Sequence, residues 1–274
     1  MYQMTIKKYI EFKGIGIHTG NLTIVKLFPA PENSGIKFIY KDNIEIPLSV
    51  ENILNTERSI TIGNKNIQIH TIEHLIAAIY MSGISNLIIN VNNNEIPILD
   101  GSSYQFLKIL KKAGIKKQNQ KLRLIEIKDL EFISKDDKFV ACVPYNKFGI
   151  LYYINFLHPM LKNKFIFLSD ITFKFFKKNI APARTFGFYN EIKNLLDKGL
   201  ARGGSLKNAV VFTDSYFLNK KLRFEDEPLR HKILDLIGAI SILNKPVKGL
   251  FIAYRSGHSL DFELIKRIIL KYNK

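Results

Sequence analysis

Hydrophobic and polar positions alternate in short runs near the start of the chain and recur at helical spacing further on. From Thr5 to about Ile69 the runs are β-type, as in Leu22-Thr-Ile-Val-Lys-Leu-Phe and Ile36-Lys-Phe-Ile-Tyr, with Pro29, Pro31 and Gly35 between them. The pattern predicts antiparallel strands. Ile72, Leu75, Ile76 and Ile79 then fall three and four apart, and Gly83 supplies a stop, which predicts a helix over 71–82. A strand over 86–91 and a helix over 102–113 follow.

The stretch 111–121 is polar and basic, with Gly114 and a Gln-Asn-Gln run, and it separates two segments of similar texture. A domain boundary is expected there, dividing the chain into 1–117 and 122–274. The second segment predicts strands near 123–127, 138–143 and 150–156, helices near 189–198 and 228–243, a strand over 249–254 and a last helix over 260–272. Strands and helices mix without regular β-α-β alternation, so the expected class is α+β and not a doubly wound sheet. No internal repeat is legible at the residue level.

Composition refines this picture. A chain of 274 residues, 46% hydrophobic and 12% aromatic, has enough apolar surface for two domains, each with its own core. Met1 to Phe12 carries neither the apolar stretch nor the small-residue cleavage site of a signal peptide, and no apolar run reaches the ~18 residues of a membrane span. A cytoplasmic protein without a transmembrane segment is expected. The single cysteine, Cys142, excludes an internal disulfide and a cysteine-based metal cluster. The formal charge of +17 invites a nucleic-acid-binding module. Against that reading, the lysines are scattered and come with no nucleic-acid motif, and the chain is rich in Lys, Asn and Ile, as a biased genome makes it. No nucleic-acid partner is expected, and part of the charge is left for an anionic substrate.

Three segments carry candidate chemistry. His70-Thr-Ile-Glu-His74 opens a predicted helix, and its H-x-x-E-H spacing is that of a zinc peptidase; an isolated pattern of this kind is as readily a pair of histidines satisfying a helix terminus. His231 and Asp235, at i and i+4, project from one face and can grip one ion, although such a pair is more often a surface pair. Arg255-Ser-Gly-His258 ends a predicted strand in a small-residue turn that presents an imidazole.

At these residues a family resemblance becomes close. Gly14-Ile-Gly-Ile-His-Thr-Gly20, Thr71-Ile-Glu-His-Leu75, Pro97-Ile-Leu-Asp-Gly-Ser102, Ala183-Arg-Thr-Phe-Gly-Phe188, Gly199-Leu-Ala-Arg-Gly-Gly-Ser205, Leu222-Arg-Phe-Glu-Asp-Glu227, His231-Lys-Ile-Leu-Asp235 and Ala253-Tyr-Arg-Ser-Gly-His258 occur in one order along the chain. They resemble the signature segments of the UDP-3-O-acyl-N-acetylglucosamine deacetylases, zinc enzymes of lipid A biosynthesis.

The resemblance implies two similar domains, each a strand layer packed on a pair of helices, with the active site between them. It implies one zinc ion per chain, held by His74, His231 and Asp235, with His70 outside that set. Two imidazoles and one carboxylate leave a fourth position for water, whose pKa zinc lowers to about 7. Glu73 would then be the general base, and His258 a cation stabilising the oxyanion or the acid that protonates the leaving amine. Thr185 is implied as a hydrogen-bond donor to the tetrahedral intermediate, and Lys232 as a cation near the substrate diphosphate.

A small inserted β-α-β element is implied over about 184–206. Ile192, Ala201 and Leu206 would line its acyl-chain passage, with Phe186, Gly204 and Ser205 as further substrate contacts. Phe156, Asn155 and Lys138 fall on the nucleotide side. The implied substrate is a UDP-linked acylated glucosamine, and a monomer is expected. The chain departs from the family pattern at Gly238-Ala239, where the family has Gly-Asp, and in Asn155-Phe-Leu-His-Pro159, which lacks an acidic residue. Neither departure touches an implied zinc ligand. Ala239, one turn beyond Asp235, is expected to face the same site, and Asp261 is placed to supply the missing charge.

Overall fold

The computed structural model describes residues 1–41 and 43–272; residues 273 and 274 of the expected second domain lie outside that range. The predicted α+β class is what the chain adopts. One five-stranded sheet runs in the order Ile10–Ile15, Leu22–Pro29, Leu87–Val91, Ile36–Tyr40, Ile44–Pro47. A second runs Glu131–Lys135, Lys138–Val143, Val247–Tyr254, Phe148–Ile154, Lys164–Leu168, with Ile125–Glu126 added beside the central strand. Both sheets place the last strand in sequence at the centre and pair it parallel with a neighbour, Ile36–Tyr40 in the first and Phe148–Ile154 in the second, where Ile125–Glu126 adds a further parallel pairing. The repeat that residue identities hide is therefore present in topology.

Among the described residues there are six α-helices: α1 (Glu73–Met81), α2 (Tyr104–Ala113), α3 (Phe173–Asn179), α4 (Tyr189–Asp197), α5 (Glu227–Ile240) and α6 (His258–Tyr272). α1 packs on α2 and on α5, and α5 packs on α6. α2 rests on the Ile10–Ile15 strand, while α6 rests on Glu131–Lys135 and Lys138–Val143. The layers thus run sheet, helix pair, helix pair, sheet. Two cores are expected from length, but the buried apolar residues of both sheets and of these helices form one contiguous core, because α1 and α5 bury their facing sides against each other. Among the described residues no helix is long and apolar enough to cross a membrane.

Three local expectations change. The stretch read as a linker is a strand, Ile115–Lys121, paired antiparallel with Tyr2–Ile6; its residues are polar because most of them face solvent. α1 begins at Glu73, two residues later than expected, because Thr71 sits at φ +60°, outside the helical region. The strands Glu131–Lys135 and Lys164–Leu168 and helix α3 escape the periodicity. The first two are edge strands with mixed faces, and α3 is short and buries only Phe176.

Gly238 sets the approach of α5 to α1. A Cβ at that position would lie 2.9 Å from the Glu73 carbonyl oxygen and 3.0 Å from its Cβ. Gly238→Ala is therefore expected to push the helices apart, at about 1–3 kcal/mol of stability as for other overpacked cores. Denaturant unfolding checks this, and an unchanged midpoint would show that the crossing has slack.

Candidate active site

The crossing brings the candidate residues of α1 and α5 face to face. His74 follows Glu73 in the first turn of α1, and both are buried. His231 and Asp235 lie one turn apart on α5, also buried. The His231 and Asp235 side chains approach to 3.4 Å and those of His74 and Asp235 to 3.9 Å, in each case between Nε2 and Oδ1. Two ligands of a tetrahedral zinc, each at about 2.0–2.1 Å, sit about 3.3 Å apart. Ligand atoms of all three residues fall within 4.8 Å of one another, and this is the only such trio of His, Cys, Asp or Glu among the described residues.

The protonation states suit a cation. His231 Nδ1 lies 3.1 Å from the Ala183 carbonyl oxygen, to which it can donate, and that bond leaves the Nε2 lone pair for a metal. Burial, then the neighbouring His231, holds His74 down to about 3, so its imidazole is neutral. Asp235 is held below the usual carboxylate range against its own burial by His231, Lys232 and His258. Its Oδ2 accepts a 3.1 Å hydrogen bond from Lys232 Nζ, so Lys232 is an inward-facing partner and not a solvated helix lysine.

Glu73 is not part of the trio. Its Oε2 accepts from the Ile60 N–H at 3.0 Å, and burial, then repulsion from Asp235, pushes its carboxyl up to about 8. His258 opens α6, with Nε2 3.9 Å from Asp235 Oδ2. Burial holds it down to about 4, Lys232 and His231 opposing the attraction of Asp235. The chain by itself thus keeps a proton on Glu73 and none on His258.

These groups line a cavity of about 850 Å³, and every expected site residue is on its wall: Lys138, Asn155, Phe156, Thr185, Phe186, Ile192, Ala201, Gly204, Ser205 and Leu206 join Glu73, His74, His231, Lys232, Asp235 and His258. The insert is a β-α-β unit, with Phe186–Phe188 parallel to Val210–Phe212 and α4 between them. Its second strand lies past the expected end at 206, because residues 199–209 first form a loop along the cavity.

With this geometry in view, the comparisons decide the family. The family model for UDP-3-O-acyl N-acetylglycosamine deacetylases matches residues 3–270. The chain belongs to that family. It is 43% identical to the UDP-3-O-acyl-N-acetylglucosamine deacetylase of Nautilia profundicola, over 98% of this chain and 92% of that one. It is 40% identical to the enzyme of the same name from Chlamydia caviae, over 97% and 96%, and 39% identical to that of Helicobacter pylori, over 98% and 92%.

Two expectations for this member of the family are corrected. His70 is not on α1: it forms a β-bridge with Glu95, and its Nδ1 pairs with Thr61 Oγ1 at 2.9 Å. The turn at Thr71 separates the two histidines, so the peptidase-like pattern is not a helical pair. Ala239 is fully buried and is not on the cavity wall, while the Nδ1 of His258 is buried without a hydrogen-bond partner. Asp261 does not hydrogen-bond His258 either. It bonds Ser256 Oγ, its second oxygen is buried without a hydrogen-bond partner, and burial pushes it up to about 7.

Several supporting residues went unassigned in the sequence. Buried Glu95 accepts from the backbone N–H groups of His18 and Thr19 and from the hydroxyls of Thr19 and Thr71, which fastens the 14–20 loop beside the cavity. Arg184 and Glu227 form a buried bidentate pair, at 2.8 and 3.0 Å, that ties the segment of Thr185 to the start of α5. Thr185 is held further by its N–H, which donates to the Gly101 carbonyl at 2.8 Å; Gly101 sits at φ +81° with no room for a Cβ against Asn208. Leu195 and Leu196 extend the apolar wall. Their spacing from Ile192, three and four residues, was the available signal.

Two predictions follow from this arrangement. His74→Ala should lose bound metal while His70→Ala keeps near-stoichiometric metal, measured by elemental analysis after dialysis; equal loss would return His70 to the ligand set. The second concerns Glu73. Because its folded value of about 8 lies above the ordinary 4.5, its contribution to stability is complete below 4.5 and is lost as pH rises through 8. In chelator-treated protein, Glu73→Gln should therefore flatten the fall of Tm across that range. Parallel Tm–pH curves would mean that Glu73 ionises in place without penalty.

Proposed function

We propose that this chain hydrolyses the acetamide of UDP-3-O-acyl-N-acetylglucosamine in the cytoplasm, releasing acetate and the free 2-amine for lipid A biosynthesis. One zinc ion would be held by His74, His231 and Asp235. The observation that carries the reading is the convergence, on the wall of one cavity, of two imidazoles that burial keeps from protonation and a carboxylate held ionised. Family membership makes this the substrate class to test.

When bound, zinc supplies Lewis-acid polarisation of the amide carbonyl and of water. The chain's own residues do the rest. Glu73, beside a ligand but free of the trio, is positioned to take the proton of the attacking water. Lys232 offers a positive charge toward the substrate diphosphate, and Thr185 offers a hydrogen bond to the carbonyl oxygen as it becomes negative. That developing charge favours the cationic form of His258, which then stabilises it or passes a proton to the departing amine.

The substrate would lie along the cavity. Lys138, Asn155 and Phe156 face the nucleotide, and the diphosphate is the natural partner for cations there, including Arg255. Phe186, Gly204 and Ser205 flank the sugar. Ile192, Ala201 and Leu206, continued by Leu195 and Leu196, would hold the acyl chain in an apolar wall. Two domains divided near residue 120, with the cavity between the helix pairs, remain part of this reading.

The test is direct. Zinc-loaded protein incubated with the UDP-linked acyl sugar should release acetate, and Glu73→Ala should keep the metal while losing turnover by roughly 100- to 10,000-fold. Absence of acetate from metal-replete protein would overturn the reading. A Glu73→Ala rate within a few-fold of the parent would assign the proton transfer elsewhere.

A further inference from the structure

The two sheets share a topology and each turns one face away from the helices, yet those outer faces differ in chemistry. Across the first sheet, one row of outward positions in register reads Glu11, Lys26, Asn90, Ile39, Glu45, and Glu45 is ion-paired to Lys37 at 2.7 Å. That face is mixed: its next row reads Phe28, Ile88, Lys37, Pro47, with the Tyr9 ring 5.0 Å from Phe28. The matching row of the second sheet reads Ser134, Phe139, Tyr254, Tyr153, Phe165. The next row reads Phe132, Ala141, Ile252, Leu151, Phe167.

The aromatic rings form a continuous ladder. Phe139 stacks on Tyr254 at 5.4 Å between centroids, Tyr254 on Tyr153 at 4.7 Å, and Phe132 lies 5.5 Å from Phe139. Phe165, Phe167 and Phe132 at the two edges are 68%, 53% and 44% exposed. Single exposed apolar residues need no explanation, but two adjoining rows do. The first sheet interrupts its outward apolar positions with Glu11, Lys26, Lys37 and Glu45, whereas neither row of the second sheet holds a charge.

Charge selects the occupant. At the strand ends around this face, Asp129, Asp137 and Asp170 are neutralised by Lys271, Arg255 and Lys147. Lys135, Lys162 and Lys164 are exposed and make no ion pair among the described residues; of the acids there, Asp136 alone is without a cation. The whole chain carries +17. A second copy on this face would set its own lysines against these. A surface that is apolar beneath and anionic around would satisfy both features, and tyrosine rings are suited to the headgroup level of a bilayer.

We propose that the outer face of the second sheet docks on an anionic lipid bilayer. Phe165 and Phe167 enter the headgroup boundary beside Lys162, while Lys135 and Lys164, which leave the edge strands on the opposite side, reach the lipid phosphates around the sheet edges on their long stems. Tyr153, Tyr254 and Phe139 lie next to Asn155, Arg255 and Lys138 on the cavity wall, so docking brings the cavity mouth to the lipid surface. The proposal does not depend on the substrate proposed above.

Flotation of the full-length protein with phosphatidylcholine vesicles, with and without about 30% phosphatidylglycerol, tests it. Binding should rise at least about tenfold with the anionic lipid and fall with added salt. Phe165→Ser/Phe167→Ser keeps every charge, and both side chains face outward, so its circular dichroism and its turnover of dispersed substrate should match the parent. Its vesicle binding should drop at least about tenfold. A second variant, Lys162→Glu/Lys164→Glu, should lose binding without any change to the aromatic face. Parent-like binding by either variant would overturn the proposal, since net charge alone would then account for it. So would a parent that ignores anionic vesicles, or one that is a dimer which the serine variant makes monomeric.

Discussion

Helices α1 and α5 cross where Gly238 presents only hydrogen to the backbone of Glu73. That approach has two consequences. It closes the two helix pairs into one contiguous core, and it brings His74 of one sheet's layer against His231 and Asp235 of the other's. Neither half of the trio is a site alone: α1 contributes a single imidazole, and α5 contributes an imidazole and a carboxylate. Stability and the donor set therefore depend on the same small-residue contact.

The electrostatics follow from burial at that crossing. A buried carboxylate survives only if charges and hydrogen bonds compensate its desolvation. Asp235 has Lys232 and three imidazoles around it and is held ionised. Glu73 has Asp235 for a neighbour and keeps its proton up to about 8. Two acids near each other are thus driven to opposite states, one suited to holding a cation and the other to exchanging a proton. A cation among the ligands would lower the Glu73 value from there and bring it toward working pH.

What was legible in the sequence was local. The i, i+4 pair on α5 and the apolar spacing of α1 gave both helices within a few residues, and the ordered motif segments gave the cavity wall. What was not legible depended on backbone conformation or on distance in sequence. Nothing in the periodicity announces the left-handed Thr71, which takes His70 off the helix. Arg184 with Glu227, and Glu95 with the 14–20 loop, are partners far apart in the chain whose pairing only the fold creates. The shared topology of the two sheets was hidden for a different reason. Their outward residues differ, with charged and apolar positions mixed on one sheet and uncharged, largely aromatic rows on the other.

The central claim is that one ion is held by two imidazoles and one carboxylate contributed from both sides of the helix crossing. X-ray absorption at the zinc edge of the zinc-loaded protein tests it most directly. The account predicts two histidine nitrogens at about 2.0–2.1 Å, with the remaining ligands oxygen. A third imidazole, as would follow if His258 or His70 joined the set, or a sulfur ligand from Cys142, would contradict it.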